Sequence, residues 1–270
     1  MDLSIGKAII LFRFHGDFDV VKERVKTLQY FNPDLSMYGL FGGSEGDFNE
    51  ANSQIGHMFE NIWFYPKGKD KDWKWIHGDL MAKQWFKDFG HSIDFDFVFS
   101  YEYDLLTVAP LKDIYPNIDQ DSIALSAVTE LSKVKDWWYW TSHENMKPKY
   151  LEFKEHMKTK YGLVEQKYAS LGPGALFSRK FMEKFADAED TEWTIEEVTL
   201  PAYAEVFGFK LVDHGMHPGF NAPKQKEKLF NCLGNEVSLS DIDYQLSVTD
   251  GVRAFHPVKY KVALEELMLK

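Results

Sequence analysis

Apolar residues near the start of the chain follow two different periods. Residues 7–14, KAIILFRF, form a continuous apolar run with β-branched residues at its beginning, which predicts a buried strand of a parallel sheet. The next segment, FDVVKERVKTLQYF, has apolar residues at helical spacing and meets a helix stop at Asn32-Pro33. LSMYGLFGG then predicts a second strand that leads into a glycine-rich loop. This succession indicates a βαβ opening.

The alternation of strands and helices continues through the chain. WKWIHGDLMAKQWFKDFG predicts a helix that ends at Gly90, FDFVFSYEYDLLTV a third buried strand, and residues 121–131 a further strand. YLEFKEHMKTKYG predicts a helix, LGPGALFSRKFMEKFAD a Gly-Pro-Gly turn followed by a helix, and TEWTIEEVTLPAYAEVFGF a helix bent at Pro201. KLVDHG predicts a short strand, residues 215–260 an irregular segment, and VALEELML a closing helix. The pattern predicts an α/β fold in one domain, with a mixed, mostly parallel sheet flanked by helices.

Composition and charge narrow the classes of function. The chain has 270 residues and a formal net charge of -11, which argues against nucleic acid and anionic membrane surfaces as partners. The basic stretches at residues 67–75 and 224–228 are short and interrupted by acids. Cys232 is the one cysteine, so no intrachain disulfide can form, which fits a reducing compartment. No stretch reaches the roughly 18 apolar residues of a membrane span, and we expect a soluble, cytoplasmic protein.

Two acids end the third apolar strand. Acids are costly to bury, yet Glu102 and Asp104 follow a run of Phe and Val. Ligands of open α/β sheets bind outside the carboxyl ends of the strands, and residues two apart on an extended backbone point to the same side. The pair therefore suits a Mg²⁺ or Mn²⁺ ion that also holds a diphosphate. The alternative is that the strand simply ends there and both acids are solvated; Asp94 and Asp96 alternate similarly at the start of the strand.

An ordered set of motifs resembles a known family. AIILFRF, FDFVFSYEYD, GPGALFSRKF, TIEEVTLPAY and FHPVK occur in an order similar to that of nucleotide-sugar-dependent glycosyltransferases of the GT-A fold. The resemblance covers residues 7 to 260 and implies a nucleotide-binding half at 1–110 and an acceptor-binding half at 111–270. It also implies a UDP- or GDP-linked sugar donor, a carbohydrate acceptor and a divalent cation held by an Asp-x-Asp motif. Glu102 departs from that motif, so direct metal binding falls mainly to Asp104, and Glu102 acts through water or contacts the ribose.

The resemblance assigns roles to residues near the end of the chain. It implies that His256 completes the metal shell and that Lys259 steadies the diphosphate; His214 and His217 are competing candidates. The alternative for His256 is a surface turn. Gly172 and Gly174 are expected to line the donor-sugar and acceptor pocket just before a helix, where free amides attract polar ligands, or else to serve a tight turn.

The resemblance also implies a catalytic base and contacts to the donor. Glu197, with Glu196 as second choice, matches the acid that takes the proton from the acceptor hydroxyl. The alternative is a capping box, Thr194-x-x-Glu197, with no catalytic role. The remaining expected contacts to the nucleotide or sugar come from Arg13, Phe14, His15, Asp17, His77 and Asp79; Asp79 could instead cap a helix. The aromatic segment at 136–145 is either an acceptor platform or a core or interface cluster.

The resemblance therefore implies a metal-dependent, hexosyltransferase-like glycosyltransferase that inverts the anomeric centre, with retention left open. Glycine-rich phosphate loops of the G-x-x-x-x-G-K and G-x-G-x-x-G types are absent, as is G-x-S-x-G. A nucleotidyltransferase of related fold would need a basic, glycine-rich loop after the first strand, where this chain has the acidic HGDFDV. A non-catalytic carbohydrate-binding protein is the other alternative.

Overall fold

The computed structural model describes residues 6–65, 70–222 and 227–269, and the polypeptide in these ranges folds around one main sheet. The strands are β1 (Ala8–Phe14), β2 (Ser36–Phe41), β3 (Asn61–Phe64), β4 (Phe97–Glu102), β5 (Leu106–Thr107), β6 (Ser122–Glu130), β7 (Tyr168–Ser178), β8 (Lys210–Asp213) and β9 (Ala254–Phe255). The helices are α1 (Phe18–Phe31), α2 (Glu45–Ile55), α3 (Lys71–Ile76), α4 (Gly78–Asp88), α5 (Leu111–Ile114), α6 (Tyr139–Ser142), α7 (Lys147–Tyr161), α8 (Arg179–Asp187), α9 (Glu196–Phe207), α10 (Leu239–Ser247) and α11 (Leu264–Met268). Within the same ranges, no helix combines the length and the apolar character that a membrane crossing requires.

The main sheet has the strand order β3-β2-β1-β4-β7-β6-β8. β1 pairs in parallel with β2 and β4, whereas β7 runs antiparallel to its neighbours β4 and β6. β8 lies parallel to β6 at the edge. The predicted α/β fold with a mixed, mostly parallel sheet flanked by helices is therefore confirmed. The chain moves outward from β1 to β3 and then returns to β4 on the other side of β1, so the sheet has a switch point between β1 and β4.

Helices cover both faces of the sheet, which explains why β1 reads as a continuous apolar run. Ile9 and Leu11 belong to one buried cluster, and Ile10, Phe12 and Phe14 belong to the other. α4, α8 and α9 pack on the first face, whereas α1 and α2 pack on the second.

A two-stranded antiparallel ribbon connects the end of the chain to the end of β4. β5 pairs with β9, with Leu106 opposite Phe255. A third apolar cluster, which includes Val258, Val262 and Leu267, lies beneath this ribbon. The C-terminal segment is thus held at the carboxyl edge of the main sheet.

Several local predictions were wrong. The Gly-Pro-Gly segment lies inside β7 rather than in a turn before a helix, because the residues that follow it pair with Val98, Phe99 and Ser100 of β4. The predicted helix at 73–90 is broken at His77 into α3 and α4, and the predicted irregular segment at 215–260 contains α10 and β9. The basic stretches fall partly on residues 66–69 and 223–226, which lie outside the described ranges.

Candidate functional site

A cavity of about 460 Å³ opens at the carboxyl ends of β1 and β4, beside the switch point of the sheet. This volume is in the range of small-molecule sites. Acidic groups on its wall come from the end of β4, the turn after it and the start of α9. Basic groups come from β1, α3 and the segment after β9. The ionisable groups that line it are Arg13, His15, Lys71, Lys74, Glu102, Asp104, Glu196, Glu197, His256 and Lys259.

Asp104 and His256 meet on one wall of the cavity. The pairing of β5 with β9, and a hydrogen bond from Val258 N to Asp104 O at 2.8 Å, bring the two segments together. His256 Nε2 lies 3.6 Å from Asp104 Oδ1. The other ring nitrogen, Nδ1, lies 2.6 Å from the backbone oxygen of Asn231 and must donate its hydrogen to that carbonyl. Nε2 therefore faces the carboxylate, so that a cation placed between the two groups would contact both.

A buried arginine that the sequence analysis did not single out holds this wall in place. Arg24 of α1 is 2% exposed, and its side chain donates to Tyr103 O at 3.0 Å and to Val258 O at 2.9 Å. These two carbonyls flank the segments that carry Asp104 and His256. Helical spacing places Arg24 on the buried face of α1, but only the tertiary contact shows what it binds.

Asp104 stays ionised despite its enclosed position. Burial by itself would raise its pKa, but the neighbouring imidazole of His256 and the charge of Lys259 hold the pKa of Asp104 below its ordinary value. Lys259 is exposed at the rim of the cavity. This wall therefore presents one carboxylate, one imidazole and one ammonium group to a ligand.

Arg13, Glu102 and Glu196 form a hydrogen-bonded cluster, which we call the floor of the cavity. Arg13 and Glu102 are neighbours in the β1–β4 register, and Arg13 Nη2 donates to Glu102 Oε1 at 2.9 Å. The same guanidinium donates to Glu196 Oε1 at 3.0 Å and to Glu196 Oε2 at 3.1 Å. The side chains of Arg13, Glu102 and Glu196 are 14%, 13% and 12% exposed. Glu196 is thus neutralised by a bidentate pair, the strongest geometry for such a contact.

The glycines of β7 hold two of the acids through their backbone amides. Gly172 N donates to Glu197 Oε1 at 2.8 Å, and Gly174 N donates to Glu102 Oε2 at 3.0 Å. The β6–β7 register shifts here, so that residues 172–175 lie outside the pairing with β6, and Gly172 and Pro173 line the cavity. Gly174 has φ +75°, and a Cβ at that position would lie 2.7 Å from Tyr115 Oη. The backbone amides of Gly172 and Gly174 therefore position the Glu197 and Glu102 carboxylates. The expectation that these amides are free at the start of a helix was wrong, because both lie within β7.

Glu197 is buried beside the cavity with a strongly raised pKa. Glu197 is 7% exposed. Burial and the neighbouring charge of Glu196 raise the pKa of Glu197 to about 8. Gly172 N and the Trp140 side chain oppose this rise. The capping-box alternative was wrong, because α9 begins at Glu196 with Ile195 as N-cap and without a side-chain capping hydrogen bond. The Glu197 carboxylate is directed to Gly172 instead.

Asp79 lies beneath the floor rather than on the cavity wall. It is 2% exposed, accepts a hydrogen bond from Thr199 Oγ1, and burial raises its pKa to about 7. The residue before it, Gly78, touches the Arg13 cluster: a Cβ there would lie 1.1 Å from Arg13 Nη1. The interpretation of Asp79 as a helix cap was wrong, since His77 occupies the N-cap position of α4.

The other predicted residues divide between the cavity and the rest of the protein. Phe14 and His15 line the cavity, and burial lowers the pKa of His15. His214 is turned to Pro173 O, at 3.2 Å from its Nε2, and burial lowers the pKa of both His214 and His217 to about 4. Asp17 caps α1 by accepting from Val20 N. Asp94 and Asp96 bind Lys7 at the opposite end of β4.

Three more lining residues, Lys71, Lys74 and Trp75, come from α3 and were not predicted. Lys74 is buried, its Nζ donates to Gly43 O at 2.6 Å and lies 4.2 Å from the centroid of Phe64, and burial lowers its pKa. Trp75, on the same helix, is 61% exposed. The helical pattern was visible in the sequence, but the side of the sheet on which it packs was not.

The donor set fits a divalent cation only in part. In residues 6–65, 70–222 and 227–269, no three or more His, Cys, Asp or Glu side chains are grouped so that they could hold a metal ion. Both oxygens of Glu102 are engaged, one with Arg13 and one with Gly174 N. Asp104 and His256 remain as a carboxylate oxygen and an imidazole nitrogen that face each other, a pair suited to Mn²⁺ when a ligand supplies further oxygens.

Comparisons with known proteins return glycosyltransferase structures. No protein-family model and no curated protein sequence matches the chain. The galactosyltransferase LgtC, solved in complex with donor and acceptor sugar analogs, is 15% identical over 76% of this chain and 72% of its own, with a TM-score of 0.41. The bifunctional glycosyltransferase WbbM gives 8% identity over 79% and 39% of the two chains, with a TM-score of 0.38. The glycosyltransferase GlyE of Streptococcus pneumoniae TIGR4 gives 11% identity over 76% and 45%, with a TM-score of 0.36.

This chain spans less than half of the lengths of WbbM and GlyE. Identities of 15% or less and TM-scores near 0.4 carry no information on chemistry, so substrate and mechanism depend on the side chains of the cavity.

Proposed function

We propose that this protein transfers a hexose from a UDP- or GDP-linked donor to the hydroxyl of a carbohydrate acceptor, with the help of a divalent cation. One observation carries the proposal. A single cavity at the carboxyl edge of the sheet has Asp104, His256 and Lys259 on one wall, and Glu197, a carboxylate of raised pKa, on its surface. The first group suits a diphosphate with its cation, and the second suits proton transfer.

Asp104 and His256 would hold the cation, Mn²⁺ or Mg²⁺, and Lys259 would contact the phosphate oxygens as a point charge. A cation bound there would act as a Lewis acid that stabilises charge on the leaving diphosphate. Arg24 keeps the two protein ligands in place through Tyr103 O and Val258 O. The fixed Nδ1 hydrogen bond of His256 directs its Nε2 towards the same point as Asp104.

Glu197 is the base in this proposal. Its carboxylate takes the proton of the acceptor hydroxyl while the acceptor oxygen bonds to the anomeric carbon. The bond from that carbon to the donor diphosphate breaks, and the nucleoside diphosphate leaves as the anion. Attack from the face opposite the leaving group inverts the anomeric centre. Glu196 is less suited to the role, because its two oxygens are paired with Arg13.

Arg13 and Glu102 support the site in this proposal. Arg13 neutralises the charge of Glu196. Glu102 accepts hydrogen bonds from both Arg13 and Gly174 N, and these contacts hold the charged groups of the floor in fixed positions. Phe14, His15 and the β7 bulge would border the donor. The enzyme would act in the cytoplasm, where an exposed free thiol such as Cys232 stays reduced.

The loop after β1 counts against the nucleotidyltransferase alternative. Its Asp17 carboxylate occupies the N-terminus of α1, accepting from Val20 N. A triphosphate placed at this helix start would meet a negative group instead of free amides.

A thermal-shift experiment tests the proposal with nucleotides and metal. The purified protein is heated with UDP, GDP or UTP, each with and without MnCl₂, alongside the variants Asp104→Asn and Asp94→Asn. We expect a diphosphate to raise the melting temperature only with Mn²⁺, and Asp104→Asn to lose that response. Asp94→Asn should keep it, because Asp94 binds Lys7 at the other end of the strand.

Two results would contradict the proposal. A triphosphate effect without a diphosphate effect would favour nucleotidyl transfer. No effect of any nucleotide, together with no release of UDP or GDP from their hexose conjugates, would favour a non-catalytic protein.

A further inference from the structure

A group of exposed aromatic side chains lies at the mouth of the cavity. Trp75 of α3 and Tyr139 of α6 are 61% and 49% exposed, and Trp140 lies between them half-buried. The ring centroids of Trp75 and Trp140 are 6.5 Å apart, and those of Tyr139 and Trp140 are 5.0 Å apart. Large aromatic side chains that stay in solvent as a group mark an interaction site more often than single exposed ones do.

This aromatic group is continuous with the proposed base. Trp75 lines the cavity itself, together with Glu197. The Trp140 side chain also lies near enough to the Glu197 carboxylate to oppose the rise of its pKa. A ligand lying on these rings would therefore have one edge next to Glu197.

We infer that Trp75 and Trp140 form the acceptor subsite, where a pyranose ring stacks with its C–H face on the indoles and directs one hydroxyl to Glu197. This inference rests on the proposed function and names the acceptor class as a carbohydrate with an apolar ring face. Two tilted indoles beside a carboxylate provide the stacking surface and the hydrogen-bond acceptor that such a ring needs.

The surroundings favour a sugar over a protein partner. The cavity behind the rings is rich in ionisable groups, whereas the fully buried centre of a protein interface is depleted in them. Lys71 lies one helical turn before Trp75 and also lines the cavity, so the rings stand at the edge of a polar site. Trp137 is 51% exposed but packs on Phe220 and does not line the cavity, which makes it a matched control.

The test compares Trp75→Ala, Trp75→Phe and Trp137→Ala with the wild-type protein. Methyl β-D-glucopyranoside, methyl β-D-galactopyranoside, lactose and cellobiose serve as acceptor probes. With UDP-hexose donors and Mn²⁺, Trp75→Ala should raise the acceptor KM by about tenfold, the effect expected when a stacking contact is lost. The acceptor KM should change more than the donor KM does, because the two rings stand at the mouth of the cavity. Trp75→Phe should keep the acceptor KM within about threefold, and Trp137→Ala should behave as wild type.

A second measurement does not depend on turnover. Titration of the wild-type protein with the same four sugars should quench or shift its tryptophan fluorescence, and Trp75→Ala should lose that response. If none of the sugars changes the fluorescence, or if Trp75→Ala binds them as wild type does, the acceptor subsite is refuted. If the wild-type protein is a dimer that Trp75→Ala dissociates, the rings form an interface and the inference is equally refuted. The proposed function fails separately, when diphosphates and Mn²⁺ do not stabilise the wild-type protein.

Discussion

Replacement of Gly78 by alanine tests whether the Arg13 cluster holds the floor of the site together. The added Cβ would lie 1.1 Å from Arg13 Nη1 and 2.5 Å from Glu196 Oε2, so the guanidinium must move. In an arginine without partners, the guanidinium could move away from the new Cβ at little cost. Here three hydrogen bonds of 2.9 to 3.1 Å to Glu102 and Glu196 oppose that movement.

The magnitude follows from two opposing effects. Alanine in place of glycine near a helix start would favour the helix by up to about 1 kcal/mol. Displacing the cation from a buried ion pair costs about 3–5 kcal/mol, because the carboxylates left behind are poorly solvated. The side chains of this cluster keep 12% to 14% of their exposure, so water compensates them in part. We expect Gly78→Ala to lower the free energy of unfolding by about 2–3 kcal/mol.

Urea unfolding followed by tryptophan fluorescence measures this change. The matched control is Gly46→Ala, also in the first turn of a helix, where the nearest atom to the new Cβ is Ser44 Oγ at 3.7 Å. The control should be neutral or slightly more stable. If Gly78→Ala unfolds within about 0.5 kcal/mol of Gly46→Ala, the view that Arg13 is locked against Gly78 is refuted.

Two further predictions concern Glu197 and Asp79, two of the buried acids whose pKa is raised. If Glu197 is the base, kcat/KM should rise with pH through about 8, because its carboxyl group is protonated below that value. Glu197→Gln should lower kcat by about 10²–10⁴-fold, whereas Glu183→Gln, at an exposed position of α8, should not lower it. A flat pH profile of kcat/KM would contradict the assignment. Burial raises the pKa of Asp79 from 3.8 to about 7, so the native state retains a proton that the unfolded chain has lost, and stability should fall as pH rises between these values. Asp79→Asn should remove this loss, which amounts to about 3 kcal/mol between pH 4.5 and 8. Urea unfolding at about these two pH values measures it. The same difference in stability from the wild-type protein at both pH values would count against the prediction.

The local pattern was sufficient for much of the fold. The apolar run of β1, the helical spacing of α1 and the alternation that follows them depend on interactions between residues close in the chain, and these elements were predicted. β3 and α2 were not predicted. The Gly-Pro-Gly segment was misinterpreted because its strand pairing with β4, about 75 residues earlier in the chain, overrides the local turn signal.

For the candidate site too, the sequence predicted some features and the tertiary contacts decided others. That Glu102 and Asp104 would lie at the carboxyl edge of the sheet could be predicted from the strand pattern. Their separate partners could not: Glu102 meets Arg13 through the β1–β4 register, and Asp104 meets His256 through the β5–β9 ribbon. Arg24, Gly78 and Trp75 were missed, because nothing near them in the chain indicates what they touch.

The amino-acid sequence by itself indicated the alternation of strands and helices, the apolar runs that are buried, and the chemical types of side chain at the strand ends. Only the tertiary structure decided which carboxylate is neutralised, which is buried with a raised pKa and which faces an imidazole. The physical reason is that burial and charge pairing depend on groups that meet in space from distant parts of the chain, as Arg13 and Glu196 do across 183 residues.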